Sequence, residues 1–469
     1  MINSKNDVVR FLKDSANQVN SEIILYLIKE NETEKNRIAS RILRYDGKAD
    51  GFDDTGRVTT EKNKVNYIVR FPFWNKIIYE KTGYLANDLN IDLNKESDKY
   101  INNETLYEDH KKIIMEYIEN TELHDKNIQL KENVAILGNY YRYLYINDKL
   151  EIATQNMTGE EVIFIYDTSG LKLNFVLRYY LIADSISGNF YRVEWFTDKE
   201  IFFFEQSKFS ELKLIKRQPH GFDYVPIFEC KNNYKKMGDC ELMITGRTFD
   251  MYDYTYSDLL SELAQFRLTY LFTKNIQLTK KQADEARQAG IFGFTGKDVD
   301  MKWLIKNFDT KPVMDVLNKV EKLLYSLSNS ADINDENFGQ LSGVAAQYKL
   351  FYLDMKSKQF LKHLIQFEKE EFKTYFSHLK KMRIADIDYK DLLFNFQFNR
   401  VINYKEEAET AVIEKQTLDQ KTILRGMSKV DDPDMVIDAR KTDLEEMMSF
   451  VDENTENVDV LTPENLNIE

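Results

Sequence analysis

Three carboxylates close in sequence, Asp332, Asp335 and Glu336, come nearest to a set that could do metal chemistry in this chain. They lie in Asn329-Ser330-Ala331-Asp332-Ile333-Asn334-Asp335-Glu336-Asn337-Phe338-Gly339-Gln340, a stretch of Asn, Asp and Gly that reads as a loop. No histidine or second carboxylate patch accompanies them, so a solvated loop is expected and no metal site. A phosphate cradle is the next chemistry to test. The nearest string, Gly290-Ile291-Phe292-Gly293-Phe294-Thr295-Gly296-Lys297, has the wrong spacing for a nucleotide-binding loop and is filled with Phe. His110, His124, His220, His363 and His378 show no HExxH or paired spacing. Cys230 and Cys240 form no CxxC and are expected as two reduced thiols. The residues therefore point away from catalysis, and no cofactor is expected.

The elements that carry these residues are more informative. The acidic loop runs into a stretch from Ser342 to about Lys380 that reads as one helix, on the order of 58 Å long at about 1.5 Å per residue. Ser342 suits the N-cap and Gly343 permits a closely packed entry. Val344, Tyr348, Phe351 with Tyr352, Met355, Phe360 with Leu361, Leu364, Phe367, Phe372 and Tyr375 form the apolar stripe. Between them lie Lys349, Lys356, Lys358, Lys362, Lys369 and Lys373, with Glu368, Glu370 and Glu371. A helix of this length is a spine crossing a larger object, or one that packs on copies of itself.

Ahead of the spine, residues 1 to about 45 read as helical, followed by a turn-rich break at 45–51. A helix from about Trp74 stops at Gly83, residues 87–104 read as a polar loop, and one helix is expected over about 105–130. From Val134 the pattern becomes alternating. Strands are expected at 138–146, 161–166, 173–182, 191–196 and 200–205, and Pro226 marks a short edge strand. A small antiparallel sheet inserted among helices follows. Helical periodicity returns over 239–273 and again from Pro312 to about Ser328. Between these helices lies an insert, 274–311, with a short helix at 280–288 and an alternating piece near Met301–Ile305. It is locally basic through Lys280, Lys281, Arg287, Lys297, Lys302 and Lys306. A strand at 392–400, a helix at 404–419 and short helices beyond complete the chain, which ends in an acidic tail. The fold class is α+β, mainly helical.

Composition narrows the function classes. A formal charge of −14 argues against coating nucleic acid by net attraction. Only 6 Pro and 17 Gly favour long helices over a string of small linked domains. The start, MINSKNDVVRF, has no signal-peptide layout and no run approaches 18 apolar residues, so neither secretion by that route nor a membrane span is expected.

Four strings in order resemble the portal proteins of tailed bacteriophages, in particular the siphophage type of Gram-positive hosts. They are Tyr224-Val225-Pro226-Ile227-Phe228-Glu229-Cys230-Lys231-Asn232-Asn233; Asp250-Met251-Tyr252-Asp253 with Ser257-Asp258 and Glu262-Leu263; Ser342-Gly343-Val344-Ala345-Ala346-Gln347-Tyr348-Lys349; and Ser428-Lys429-Val430-Asp431-Asp432-Pro433. Weaker echoes are Tyr45-Asp46-Gly47, Gly83-Tyr84-Leu85 and Phe164-Ile165-Tyr166-Asp167. One departure is Gly238-Asp239-Cys240-Glu241, where the family usually has a serine before the acid.

The resemblance implies a homo-oligomeric ring, usually of twelve subunits, at one capsid vertex of the virion, assembled in the host cytoplasm. Double-stranded DNA enters and leaves through its channel. Residues 1–238 would form the wing, 239–273 a stem helix, 274–311 the clip, and 312–330 a second stem helix. Residues 331–341 would be the tunnel loop, 342–403 the spine helix with a wing strand, and 404–469 the crown and acidic tail. The clip, with Lys280, Lys281, Arg287, Lys297, Lys302 and Lys306, would face the terminase large subunit and later a head-completion or adaptor protein. The tunnel loop would present Asp332, Asn334, Asp335, Glu336 and Asn337 to the DNA, anchored at Ser342 and Gly343. The major capsid protein and scaffolding protein are further implied partners, and no enzyme activity is implied. Two other classes stay open on the residues alone: a nucleic-acid-processing enzyme with Asp332, Asp335 and Glu336 as metal ligands, and a helical scaffold or adaptor.

Overall fold

The computed structural model describes residues 21–48, 67–167, 173–183, 190–206, 212–234, 246–265, 270–275, 300–304, 309–330, 343–399 and 404–427, with isolated positions at 279–298 and 430–442. The chain divides into two compact units, Met1–Asn399 and Arg400–Glu469.

In the first unit, helix α1 (Ser21–Tyr45) ends in the Asp46-Gly47 turn, where Gly47 takes a left-handed φ of 68°. Helix α2 (Phe73–Tyr84) follows. The region 87–104 is not all loop, because strand β1 (Leu89–Leu93) lies within it. Leu89, Ile91 and Leu93 alternate inward there, and β1 pairs antiparallel with β12 (Leu392–Phe396). The helix expected over 105–130 is two: α3 (Glu104–Asn120), capped by Asn103 Oδ1 on the Leu106 amide, and α4 (Leu123–Leu137). The break falls at Glu122, which is left-handed (φ 53°) although not glycine. Gly138 (φ 88°) closes α4 and lets the chain turn at once into β2 (Asn139–Ile146).

Two antiparallel sheets replace the single one expected. The first has the order β3 (Ile152–Met157), β2, β9 (Ile227–Lys231); the second runs β4 (Val162–Tyr166), β5 (Leu173–Ile182), β6 (Phe190–Phe196), β7 (Glu200–Gln206), β8 (Leu212–Pro219). Strands β3 and β8 were outside the sequence reading. β3 presents Thr, Gln and Asn in place of an apolar alternation, and most of β8 is exposed. β9 sits at a sheet edge just after Pro226, as expected for a residue that cannot donate to a ladder. One core joins the two sheets through Tyr141, Met157, Val176, Phe196 and Ile227. Another seats Ile23, Ile24, Leu27 and Ile28 of α1 on the five-stranded sheet around Trp195.

Helix α5 (Gly246–Gln265) stops short of the expected 273, and residues 270–274 form strand β10 (Tyr270–Lys274). β10 pairs antiparallel with β11 (Asp300–Leu304), so the insert is carried on a two-stranded ribbon. Helix α6 (Lys311–Ser328) opens with Pro312 in its first turn and packs on α5. The long helix α7 (Gly343–Lys381) spans 39 residues without a break. It ends at Arg383, left-handed at φ 58°, where the Ile384 amide reaches back to the Leu379 carbonyl. The main core gathers along its second half: Phe360, Leu364, Phe367, Phe372, Tyr375, Phe376 and Leu379 pack with residues of α2 to α6, β1 and β12. Each such side chain contributes roughly 1.5–3 kcal/mol on burial. In the second unit, helix α8 (Tyr404–Glu414) stops before the expected 419, and Asp419 caps α9 (Gln420–Gly426) through the Thr422 amide.

The second family-like string now has a physical meaning. Asp253, Ser257 and Ser261 stand at i, i+4, i+8 on α5. Along them the extended segment 67–71 places the amides of Phe71, Val69 and Tyr67 at 3.2, 3.0 and 2.9 Å from Asp253 Oδ1, Ser257 Oγ and Ser261 Oγ. Side chains thus supply the acceptors a neighbouring strand would otherwise give. Burial, with the Asp250 charge adding, pushes the Asp253 carboxyl up to about 7 against the pull of the Phe71 amide. The folded chain then holds a proton that the unfolded chain, titrating near 4, has lost, so this site's stability is present below about pH 4 and fades as pH rises through 7. Asp253→Asn keeps the acceptor and removes the charge. We predict that the variant exceeds wild type in urea unfolding at pH 8 by about 1 kcal/mol, after allowance for solvent screening, and that the difference vanishes as the pH falls to about 4. A variant weaker than wild type at pH 8 would refute this.

Candidate functional site

The spine helix divides into two halves of different surroundings. Its second half is the core just described. In its first half Tyr348, Phe351, Tyr352 and Met355 stand at i, i+3, i+4, i+7, and all are more than half exposed. The sequence reading places these four on one stripe with Phe360 and Leu364, but at about 3.6 residues per turn they lie on the opposite face: Leu353 and Ser357, both buried, continue the face of Phe360 and Leu364, and Tyr348, Phe351, Tyr352 and Met355 point away from it. Helix α6 repeats the pattern: Leu317, Leu324 and Tyr325 are buried, while Val316, Leu323 and Leu327 are exposed. A row of four aromatic or sulfur side chains in water marks an interaction surface.

Where the halves meet, α7 is tied to the end of α6. Lys356 Nζ donates to the Ser328 carbonyl at 2.6 Å. Ser328 is the last residue of α6, Asn329 caps it in the left-handed region (φ 53°), and the Ser330 amide reaches the Tyr325 carbonyl. An amine at a helix C-terminus meets the negative end of the dipole. Burial holds the Lys356 pKa well below the ordinary lysine value. One turn on, Lys81 of α2 donates to Asn232 Oδ1 at 2.9 Å and lies over the Phe360 ring. Burial brings its pKa down to about 7.

The second half of α7 is held by a buried charge network that the sequence reading did not contain. Arg142 of β2 has no exposed surface. Its Nη1 meets Glu368 Oε1 at 3.2 Å and Glu371 Oε2 at 2.9 Å. Its Nη2 donates to Asn127 Oδ1 of α4 at 2.6 Å and its Nε to Asn156 Oδ1 of β3 at 3.0 Å. The Tyr117 hydroxyl of α3 donates to Glu371 Oε1 at 2.6 Å. Five elements are thereby fixed on one guanidinium. Burial drives the Glu368 carboxyl up to about 7, partly offset by Arg142 and reinforced by the charge of Glu371. A lone Arg amid Tyr140, Tyr141, Tyr143 and Leu144 was the available signal, since a charge inside an apolar strand implies a buried partner.

Of the expected site residues, Lys281, Lys302 and Gly343 lie on described backbone, in three different elements. Lys281 is exposed in a short helical piece; Lys302 stands in β11 opposite Phe272; Gly343 opens α7. Lys280, Arg287, Lys297, Lys306, Asp332, Asn334, Asp335, Glu336, Asn337 and Ser342 fall outside the described residues. Cys230 is a buried free thiol and Cys240 is outside the described residues. Among the described residues no group of three or more His, Cys, Asp or Glu could hold a metal ion. None of the described helices is long and apolar enough to cross a membrane.

Comparison with known proteins bears directly on this arrangement. A portal protein of Clostridium phage phiCD119 is 29% identical over 313 residues, which cover 61% of this chain and 65% of that relative, just under two thirds of its length. The family model described as phage portal protein, SPP1 Gp6-like, matches residues 24–456. That span takes in both sheets, the ribbon between α5 and α6 and the whole spine, and the chain belongs to the SPP1 Gp6-like family of phage portal proteins.

Proposed function

We propose that this chain is the subunit of a ring at one capsid vertex, through which viral DNA is packaged and later ejected, and on which a terminase motor and then a head-completion protein dock. The family match over residues 24–456 carries this reading. In it, 1–238 is the wing, α5 and α6 with the segments leading into them are the stem, 274–311 is the clip, 331–341 is the tunnel loop, and 404–469 is the crown and tail. The ribbon of β10 and β11, rising between two helices packed side by side, suits a clip shared with neighbours. The exposed rows on α6 and on the first half of α7 suit a heterologous interface that closes on itself after a fixed number of copies. Twelve is the number proposed. Capsid protein and scaffolding protein are the proposed contacts of the wing.

The charge suits passage rather than capture. Each subunit carries −14, and a ring repeats every acidic side chain around the channel. Asp332, Asp335 and Glu336 would repel phosphate and keep the DNA from sticking. Replacing these three together by Lys is predicted to leave rings intact and to slow DNA packaging in an assembly assay; unchanged packaging would sink the charge argument. Electron microscopy of the purified protein tests the reading itself. Rings with a central hole at least a duplex wide are expected, and class averages give the subunit number. A monomer at every concentration and salt, including with capsid and scaffolding proteins present, would overturn it.

A further inference from the structure

Between β8 and β9 the chain runs His220-Gly221-Phe222-Asp223, and two imidazole rings hold this turn in place. The Phe222 amide donates to Nδ1 of His220 at 3.1 Å, and Nε2 of His220 lies 3.1 Å from the Thr197 carbonyl, in the turn between β6 and β7. From the other side, Nδ1 of His378 on α7 lies 3.1 Å from the Gly221 carbonyl. The buried Phe222 ring touches both imidazoles, with centroids 5.9 Å from His220 and 5.3 Å from His378. The turn is closely seated: a Cβ at Gly221 would come within 3.1 Å of Ile146 Cδ1 on β2.

These partners fix the protonation of His220. A backbone amide only donates and a backbone carbonyl only accepts. His220 must therefore offer a lone pair at Nδ1 and a proton at Nε2, which is the neutral ring. A second proton would sit on Nδ1 and set one N–H against the N–H of Phe222. His378 differs. Its Nδ1 gives a proton to the Gly221 carbonyl, and a charged ring gives that proton as well as a neutral one. Acid thus attacks the hold of the turn on the sheet and spares its hold on the spine. The charged groups around His220 oppose one another. Asp198 of the β6–β7 turn and Asp223 favour the charged ring; Lys381 of α7, 3.2 Å from Asp223, disfavours it, as does His378 once charged. The exposed Lys199 beside Asp198 accepts the His220 amide on its carbonyl at 3.3 Å. Burial decides the balance and holds the His220 pKa below the ordinary histidine value.

We propose that His220 is an acid-sensitive latch between the five-stranded sheet and the C-terminal end of α7. Protonation of its ring releases the Phe222 amide and frees the turn from Thr197, while Gly221 stays bonded to His378. An unfolded histidine takes up its proton near pH 6.5, before the folded ring does, so the latch contributes in full above about pH 6.5 and its contribution falls as the pH drops below that. The inference does not depend on ring formation.

The test uses the full-length protein with nitrogen-15 in its histidine rings. At about pH 7.5 the His220 ring, assigned by the signal lost in His220→Asn, is expected as the neutral Nε2–H form, with a titration midpoint below about 6.5. Hydrogen–deuterium exchange, corrected for the intrinsic effect of pH, should show protection of residues 220–225 falling about ten-fold in wild type between about pH 7.5 and pH 5. His220→Asn keeps an acceptor for the Phe222 amide and cannot titrate, so its protection should stay level. His220→Gln, which keeps a donor for the Thr197 carbonyl, repeats the comparison should His220→Asn fail to fold. His378→Asn should still show the wild-type fall. A His220 ring protonated at Nδ1 at about pH 7.5, protection in wild type that does not fall with pH, or an equal fall in the untitratable variants overturns the proposal.

Discussion

Replacing Arg142 by Met is expected to cost the first unit about 3–5 kcal/mol, the penalty typical of stranding a buried charge partner. Two carboxylates, Glu368 and Glu371, share this guanidinium with no exposed surface on any of the three side chains. Without it they face each other in the core. The sign of the pH effect follows from Glu368, whose carboxyl already sits near 7 in the folded chain. Acid supplies the proton that relieves the clash, so the deficit should be smaller at pH 5 than at pH 8. Urea unfolding at the two pH values checks both. Adding Glu368→Gln and Glu371→Gln to the variant should regain about half of the loss, because the burden is the uncompensated charge rather than a missing contact. A single variant within about 1 kcal/mol of wild type at pH 8 would show that water reaches the network.

Changing Phe351 and Tyr352 together to Glu is expected to separate assembly from folding. Both side chains are more than half exposed, so the isolated subunit should keep its unfolding midpoint within about 0.5 kcal/mol. Their burial against a neighbour would make them interface anchors, and loss of two such anchors weakens association at least about 100-fold. Sedimentation velocity should show monomers under conditions where wild type, on the proposed reading, forms rings. Rings of normal stability in the variant would move the subunit interface away from the first half of α7, even with the family assignment intact.

What the sequence disclosed follows from the range over which each element is determined. Helices α2, α6 and α7 declare themselves through local periodicity and caps, and β4 to β7 through alternation. Strand β1 also alternates, Leu89-Asn90-Ile91-Asp92-Leu93, but it is short, sits among polar residues, and has its partner near the other end of the unit. The break at Glu122 left no glycine or proline behind. Tyr270–Lys274 reads as well on a helical face as in a strand, and its pairing with β11 decides the matter. Among the site residues, Lys356, Glu368 and Glu371 carry the charges of a solvated helix face. Only the positions of Ser328 and Arg142, set by the tertiary fold, turn them inward.

The pairing of β1 with β12 also sets a clock. Leu89, Ile91 and Leu93 leave the ribosome about 300 residues before Leu392 to Phe396 arrive to cover them. At roughly 5–20 residues per second this is an interval of about 15–60 s. Throughout it, the nascent first unit lacks its closing strand. The same late segment brings Asn399, whose amide bonds the Tyr84 carbonyl, and Phe398, which stacks on the Tyr84 ring. A truncated translation product therefore lacks a finished first unit however much of its sheet has formed. On the proposed reading, in which the subunit is counted into a closed ring, folding itself then acts as the inspection step, and incomplete chains are left open to chaperones and proteases before they can take a place.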